Sequence, residues 1–270
     1  MYTAPCPNQQ AIPAMEYLVD NYAGDDGKLQ VFLFGSDYVY PRTTNTIIKA
    51  MQDAYPIEVV GEEYIPLGYT DCSTVITKIQ QAKPDVIINT INGDSNVSFF
   101  KQYKDAGLTP EEYPTMSFSC YEEDIRGMGA EYAEGHLFAW NYFQSVDTEE
   151  SKAFTEKFKS LYGEDKVTGD PVVNAYEGVY LWKAAVEKAG TFDVEPVIQA
   201  CESGEVECDT PEGLVTIAEG TTHHCLQKVL IGKCDAEGQI QTLWETDDRI
   251  EPDPWLKSYD WAANLNVESE

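Results

Sequence analysis

Positive charge is scarce in this chain, and no long apolar run occurs in it. Lys and Arg number 18 against 47 Asp and Glu among 270 residues, a formal net charge of −29. Such a surface repels nucleic acid and anionic membranes, since both are bound through Lys and Arg. No apolar stretch approaches the roughly 18 residues of a membrane span, so membrane insertion is not expected. Met1-Tyr2-Thr3-Ala4-Pro5 lacks the basic n-region and apolar h-region of a signal peptide, an absence that alone assigns no compartment. The motifs GxSxG, HExxH, GxGxxG and the P-loop are missing, and Gly127-Met128-Gly129 is too short to replace them. Paired carboxylates occur, but in so acidic a chain they say little. No cofactor and no covalent chemistry are expected.

Histidine is rare, and cysteine is odd in number. The seven cysteines are Cys6, Cys72, Cys120, Cys201, Cys208, Cys225 and Cys234. The local pairs Cys201/Cys208 and Cys225/Cys234 suit short disulfide staples, and reduced, partly buried thiols suit the same positions. A zinc site from His223, His224, Cys225 and Cys234 lacks the usual CxxC spacing, so no metal is expected. His136 beside an apolar strand reads as structural.

What is present is ordinary for a globular protein: 43% hydrophobic and 24% charged residues, enough for a sizeable core. Acidic residues are spread along the chain, which fits a solvated surface adapted to salt. Apolar periodicity predicts a helix over Gln9–Asn21, a strand over Lys28–Phe34 and a helix over Thr43–Ala54. A strand over Glu58–Ile65, a helix to Ala82, a strand over Val86–Ile91, a helix over Val97–Ala106 and a strand over Thr115–Ser119 follow. This alternation predicts a parallel sheet covered by helices on both faces. The second half reads as a strand His136–Phe143, then helices Thr148–Tyr162, Pro171–Ala189 and Asp193–Glu202. Strands Gly213–Ile217, Gln227–Lys233 and Ile240–Trp244 and a Pro-rich ending come last.

In an open α/β sheet ligands sit beyond the carboxyl ends of the strands. Three polar loops fall there. The first, Gly35-Ser36-Asp37-Tyr38-Val39-Tyr40, offers two aromatic faces with hydroxyls. The second, Asn92-Gly93-Asp94-Ser95-Asn96, holds Asp94 as its one charge, which equally suits a helix cap. The third contains Glu122, Glu123 and Asp124, which equally suit a solvated helix start, with one residue facing the cleft. Oxygen acceptors dominate, which suits a ligand rich in N–H donors such as urea, a primary amide or an ammonium group.

The segments GSDYVYPRTTN, VVGEEYIPLGYTD, KPDVIINTINGDSNVSFFKQYKDAG, HLFAWNYFQSVDTEES, AYEGVYLWKAAVEKAG, DTPEGLVTI and IEPDPW resemble the substrate-binding proteins of urea ABC transporters and the related amide sensors. The resemblance implies an α/β fold of the type I periplasmic binding protein kind: two parallel-sheet, three-layer lobes joined by crossing strands, the first lobe incomplete. It implies a partial first lobe from residues 1–27 and 136–205, and a second lobe with crossing strands from 28–135 and 206–270. The chain then begins near the family's middle, at Pro7-Asn8-Gln9-Gln10. Ligand contacts carry over to Tyr38 and Tyr40, with Ser36 in the same loop. Asp94 with Asn92, and the acidic pair Glu122 and Glu123, carry over from the other two loops. The implied role is capture of a small neutral ligand, urea or a short amide, for delivery to an ABC permease, with a periplasmic or extracellular address. The alternatives are an amide sensor signalling to a regulator and a remnant that no longer binds.

The charge excess has a direct consequence. Raising NaCl from near zero to about 1 M shortens the screening length to ~3 Å and relieves self-repulsion, so the melting temperature should rise by several degrees. A flat or falling melting temperature in a salt series overturns this.

Overall fold

A computed structural model describes residues 1–265. In it the apolar run ending at Phe34 becomes β1 (Leu29–Ser36), buried at every residue except Gln30. Helix α1 (Ala11–Tyr22) precedes it, and α2 (Val39–Met51) leads to β2 (Ile57–Ile65). Helix α3 (Ser73–Ala82), β3 (Val86–Thr90), α4 (Asp94–Asp105) and β4 (Thr115–Ser117) follow. Short helices α5 (Glu122–Met128) and α6 (Ala130–Ala133) lead to β5 (Leu137–Trp140). These five strands are parallel, in the order β2-β1-β3-β4-β5.

The chain then builds a smaller unit from α7 (Glu149–Tyr162), α8 (Asp170–Ala189) and α9 (Val194–Cys201). Its sheet comprises β6 (Glu207–Thr210), β7 (Gly213–Ile217) and β8 (Cys225–Leu226). Strands β9 (Leu230–Cys234) and β10 (Ile240–Glu245) return to the large sheet, antiparallel beside β5. The smaller sheet is antiparallel rather than parallel. Thr210 pairs with Gly213, so two residues join β6 to β7, too few for a parallel crossover. Strand β6 escapes sequence reading because Glu207-Cys208-Asp209-Thr210 is poor in strand formers.

Side-chain alternation explains the continuous apolar runs. Val31 and Leu33 pack with Met15, Leu18, Ile47 and Met51 of α1 and α2. Phe32 and Phe34 pack on the other face with Ile76, Phe99 and Phe100 of α3 and α4. A parallel sheet covered twice needs apolar residues at both phases of the pleat. A third cluster joins Leu181, Ala185 and Cys201 to Val206, Val215 and Ile217. Thus α1 and β5 pack with the large sheet and residues 206–217 with α8 and α9, which moves the boundaries expected from the resemblance.

All seven cysteines are free thiols, six of them buried, so neither local staple forms. Cys225 and Cys234 lie in different sheets, which also separates the residues considered for zinc. Among the described residues no group of three or more His, Cys, Asp or Glu is arranged to hold a metal. His136 is buried, its Nδ1 accepting from Thr115 N at 3.1 Å, and burial lowers its pKa to about 3. None of the described helices is long and apolar enough to cross a membrane.

Three segments pass between the two sheets, around Gln9, Asn141 and Lys228. Asn141 ties them together: its Nδ2 donates to Gln9 O at 3.3 Å and to Lys228 O at 2.5 Å. Asp170 at the start of α8 accepts from the backbone N–H groups of Asn141 and Tyr142 at 2.9 and 3.0 Å. Behind it lies Glu177, fully buried, with neither carboxyl oxygen hydrogen-bonded. Burial first, then the charge of Asp170, raises the Glu177 pKa to about 8; burial, then the charges of Glu177 and Asp170, raises that of Glu212. Cys208 and Cys225 also face Glu177.

Folded Glu177 keeps its proton where the unfolded chain releases it. Its contribution to stability is therefore full below the ordinary carboxyl range and is lost as pH rises towards about 8. Glu177→Gln keeps the shape without the charge. The variant should melt near wild type at about pH 5 and roughly 5 °C or more above it at about pH 8.5, since tenfold in proton affinity is worth about 1.4 kcal/mol. An equal offset at both pH values excludes the titration.

Candidate functional site

The strand order reverses between β1 and β3, and that reversal opens a crevice. Helix α2 leaves β1 towards one face of the sheet, and α4 leaves β3 towards the other. The two loops part, and the gap beyond the strand ends is the usual ligand position in such sheets. A cleft of about 370 Å³ lies there, lined among others by Tyr38, Tyr40, Asn92, Tyr121, Asp124 and Trp140. A larger hollow of about 760 Å³, lined by Lys83, Asp85 and Glu112, lies at the opposite edge, beside the amino ends of the strands. Topology therefore outweighs size in choosing the candidate.

The first loop is shorter than sequence reading predicts, because α2 starts at Val39 rather than Thr43. Tyr38 becomes the residue before the helix, in extended conformation, and Tyr40 enters the first turn. Their rings lie 6.3 Å apart at 41° and share one side of the cleft. The Tyr40 hydroxyl donates to Gln10 Oε1 at 3.1 Å. Gln10 Nε2 in turn donates to Phe118 O and Ala139 O at 3.1 and 2.7 Å. Burial raises the Tyr40 pKa, so the phenol stays protonated. Sequence reading misses Gln10 because it lies on the segment before α1, remote in the chain from the loop it braces.

The second loop is held from beneath by a buried polar network. Asn89 Nδ2 donates to Asn96 Oδ1 at 2.9 Å and to Ser117 Oγ at 3.0 Å. Asn89 Oδ1 accepts from Ile91 N at 2.9 Å, and Asn96 Nδ2 donates to Ile91 O at 2.7 Å. Asn92 N donates to Ser36 Oγ at 3.0 Å, which ties this loop to the first. Gly93, at φ 62 and ψ −141, makes a turn that a side chain would strain. Burying so many polar atoms is tolerable because the network pairs them.

The third loop ends at Tyr121, and Asp124 is three residues further on, in the first turn of α5. Asp124 Oδ2 accepts from Tyr121 N at 3.1 Å. The Tyr121 ring meets Trp140 at 6.5 Å and 80°, and Trp140 Nε1 donates to Cys120 O at 2.9 Å. Burial raises the Asp124 pKa to about 6, and the nearby charges of Glu123 and Asp94 add to it.

Of the residues singled out from sequence, Tyr38, Tyr40 and Asn92 line the cleft together. Ser36 is buried beneath it as the acceptor that anchors Asn92. Asp94 is exposed in the first turn of α4, outside the cleft lining. Glu122 is buried and turned away: Oε1 accepts from Gln144 N at 2.8 Å, and Oε2 lies against Gly169, where a Cβ would come within 2.7 Å. Burial raises the Glu122 pKa to about 8. Glu123 is ion-paired with Arg126. Within the acidic run it is therefore Asp124 that reaches the cleft, because the helix turn places its three acids on different sides. Tyr121, the residue before α5, and Trp140, the last residue of β5, also line it; an aromatic residue just before a helix is the same signal that marks Tyr38.

Similarity to known proteins follows the same outline. A protein of Brucella melitensis named Leu/Ile/Val-binding protein homolog 6 is 26% identical over 241 residues, covering 87% of this chain and 60% of that one. A shorter match, 29% identical over 129 residues, is to a Geobacillus stearothermophilus protein named limonene hydroxylase; it covers 48% of this chain and 23% of that one. A solved solute-binding protein of an ABC transporter from Rhodopseudomonas palustris, in complex with 3,4-dihydroxybenzoic acid, shares the fold. It superposes with a TM-score of 0.78 at 22% identity, covering 91% of this chain and 66% of that one. This chain thus spans less than two thirds of the length of each of these relatives. The periplasmic binding protein domain matches residues 1–260, nearly the whole chain, and the chain belongs to that family.

Proposed function

We infer that this chain is the ligand-holding part of a solute-binding protein, and that its ligand is urea or a short amide. The observation that carries this is the cleft's lining: aromatic walls, the oxygen acceptors Asp124 and Asn92, and no Lys, Arg or His among the described residues that form it. A ligand with several N–H donors matches such a wall, because each donor finds an acceptor. Tyr38, Tyr40, Asn92 and Asp124 contact the ligand. Ser36 and Glu122 hold the second loop and the neighbouring crossing segment in place, Asp94 stays in solvent at the start of α4, and Glu123 neutralises Arg126.

The role follows from the family and from the three crossing segments. Ligand binding favours the arrangement in which both sides of the cleft touch it, and that arrangement is handed to an ABC permease. No bond is made or broken. The relatives named for branched-chain amino acids support capture of small solutes. The family, a periplasmic binding protein domain, supports a periplasmic or extracellular address.

Isothermal titration with urea, acetamide and leucine tests the reading. Heat with at least one of the amides and none with leucine is the expected result; silence from both amides removes the proposed specificity. Tyr38→Ala should weaken amide binding by about tenfold, ~1.4 kcal/mol. Tyr38 is the better target because Tyr40 also supports Gln10. An unchanged affinity takes Tyr38 out of the site.

A further inference from the structure

Charge at the cleft is one-sided. Asp124 is the only Asp, Glu, Lys, Arg or His among the described residues that line it. The cations of the adjoining loops are already engaged. Arg42 Nε binds Asp37 Oδ1 at 2.6 Å, and Arg126 binds Glu123 at 2.8 Å and Asp165 at 3.5 Å. An anionic ligand would enter against a carboxylate and find no counter-charge, and an unpaired buried charge is costly. A cationic ligand meets the reverse situation. Asp124 uses Oδ2 to accept from Tyr121 N, its one hydrogen bond among the described residues, and Oδ1 remains to accept from a ligand. Tyr38, Tyr40, Tyr121 and Trp140 line the same space, and aromatic faces attract cations.

We propose that Asp124 sets the charge preference of the cleft, so that planar nitrogen cations of the amidinium or guanidinium kind bind better than neutral amides, and carboxylates are rejected. This rests on the assignment of the cleft as a binding site for nitrogen-rich ligands and narrows it to one charge class. A planar amidinium presents N–H donors to the Asp124 carboxylate in a charge-assisted pair while its flat face lies along an aromatic wall. The chain's net charge of −29 adds a field that draws cations towards the molecule. Asp124 ionises at about 6, chiefly because burial disfavours its charge. The preference is therefore full above that pH and fades as the carboxyl takes up its proton.

Three ligands of one shape test this: benzamidine as the cation, benzamide as the neutral form and benzoate as the anion, each titrated calorimetrically into the whole chain. At about pH 8 benzamidine should bind about tenfold more tightly than benzamide, and benzoate should bind weakest. Lowering the pH to about 5 should weaken benzamidine by about tenfold and leave benzamide nearly unchanged. Asp124→Asn keeps an acceptor for Tyr121 N. It should abolish the preference for benzamidine, so that the ratio of benzamidine to benzamide affinity falls from about tenfold to about one. The pH series on the wild type makes the test independent of how well the variant folds. Benzamide binding as well as benzamidine, or Asp124→Asn weakening all three ligands alike, overturns the charge preference and leaves the amide reading standing. Binding of none of the three overturns the charge preference, and the amide reading is then decided separately by the urea and acetamide titration.

Discussion

Burial of β1 on both faces governs this molecule. Phe32 and Phe34 need one helical layer and Val31 and Leu33 another, so the helices after β1 and β3 must go to opposite sides. Once they do, the loops between strand and helix separate, and a crevice opens where the strand order reverses. The cleft is thus a by-product of covering a parallel sheet twice. Each fully buried large apolar side chain contributes about 1.5–3 kcal/mol, so the framework is stiff compared with what the loops do. Loops attached to it can carry a polar network, a strained glycine and a half-exposed tyrosine.

Acidity is handled differently in the three places it occurs. On the surface it is left to solvent, with scattered ion pairs such as Lys49–Glu62 and Lys183–Glu187. At the seam between the sheets, buried Asp170 and Glu177 and half-buried Glu212 have no basic partner among the described residues, and their pKa values rise instead. In the cleft, Asp124 is partly buried and ionises near neutrality. The same side-chain chemistry is left to solvent, buried as protonated filler or turned to the cleft, and the local cost of holding charge decides which. The seam carboxyls stand where three crossing segments meet, so their protonation bears on how the two parts are held.

Much of the framework is legible in the sequence because it rests on periodicity. The runs Val31–Phe34 and Val86–Ile91, separated by helix-length amphipathic segments, can pack in few ways other than as a doubly covered parallel sheet. The aromatic pair after β1 is legible for the same reason, since a strand end defines which residues reach its rim. Helix starts are less visible. Val39-Tyr40-Pro41-Arg42 carries no cap signal that distinguishes loop from first turn, so α2 begins earlier than expected. The acidic run after β4 misleads because three consecutive acids look alike in sequence. Backbone rotation of about 100° per residue then separates them, sending Glu122 inward, Glu123 to Arg126 and Asp124 to the cleft.

Local pattern thus carries the alternation of strands and helices, the two-sided core, the three loops at one sheet edge and the aromatic, acceptor-rich character of those loops. Side-chain period and turn chemistry set all of these, and both act between residues close in the chain. Packing of distant segments is what makes Gln10 brace Tyr40 and Ser36 carry Asn92, leaves Glu177 unpaired behind Asp170 and turns Asp124 to the cleft. Each of those depends on residues far apart in the chain or on the angle at which a helix begins. Neither is encoded in spacing, because both follow from how the packed layers finally come to rest.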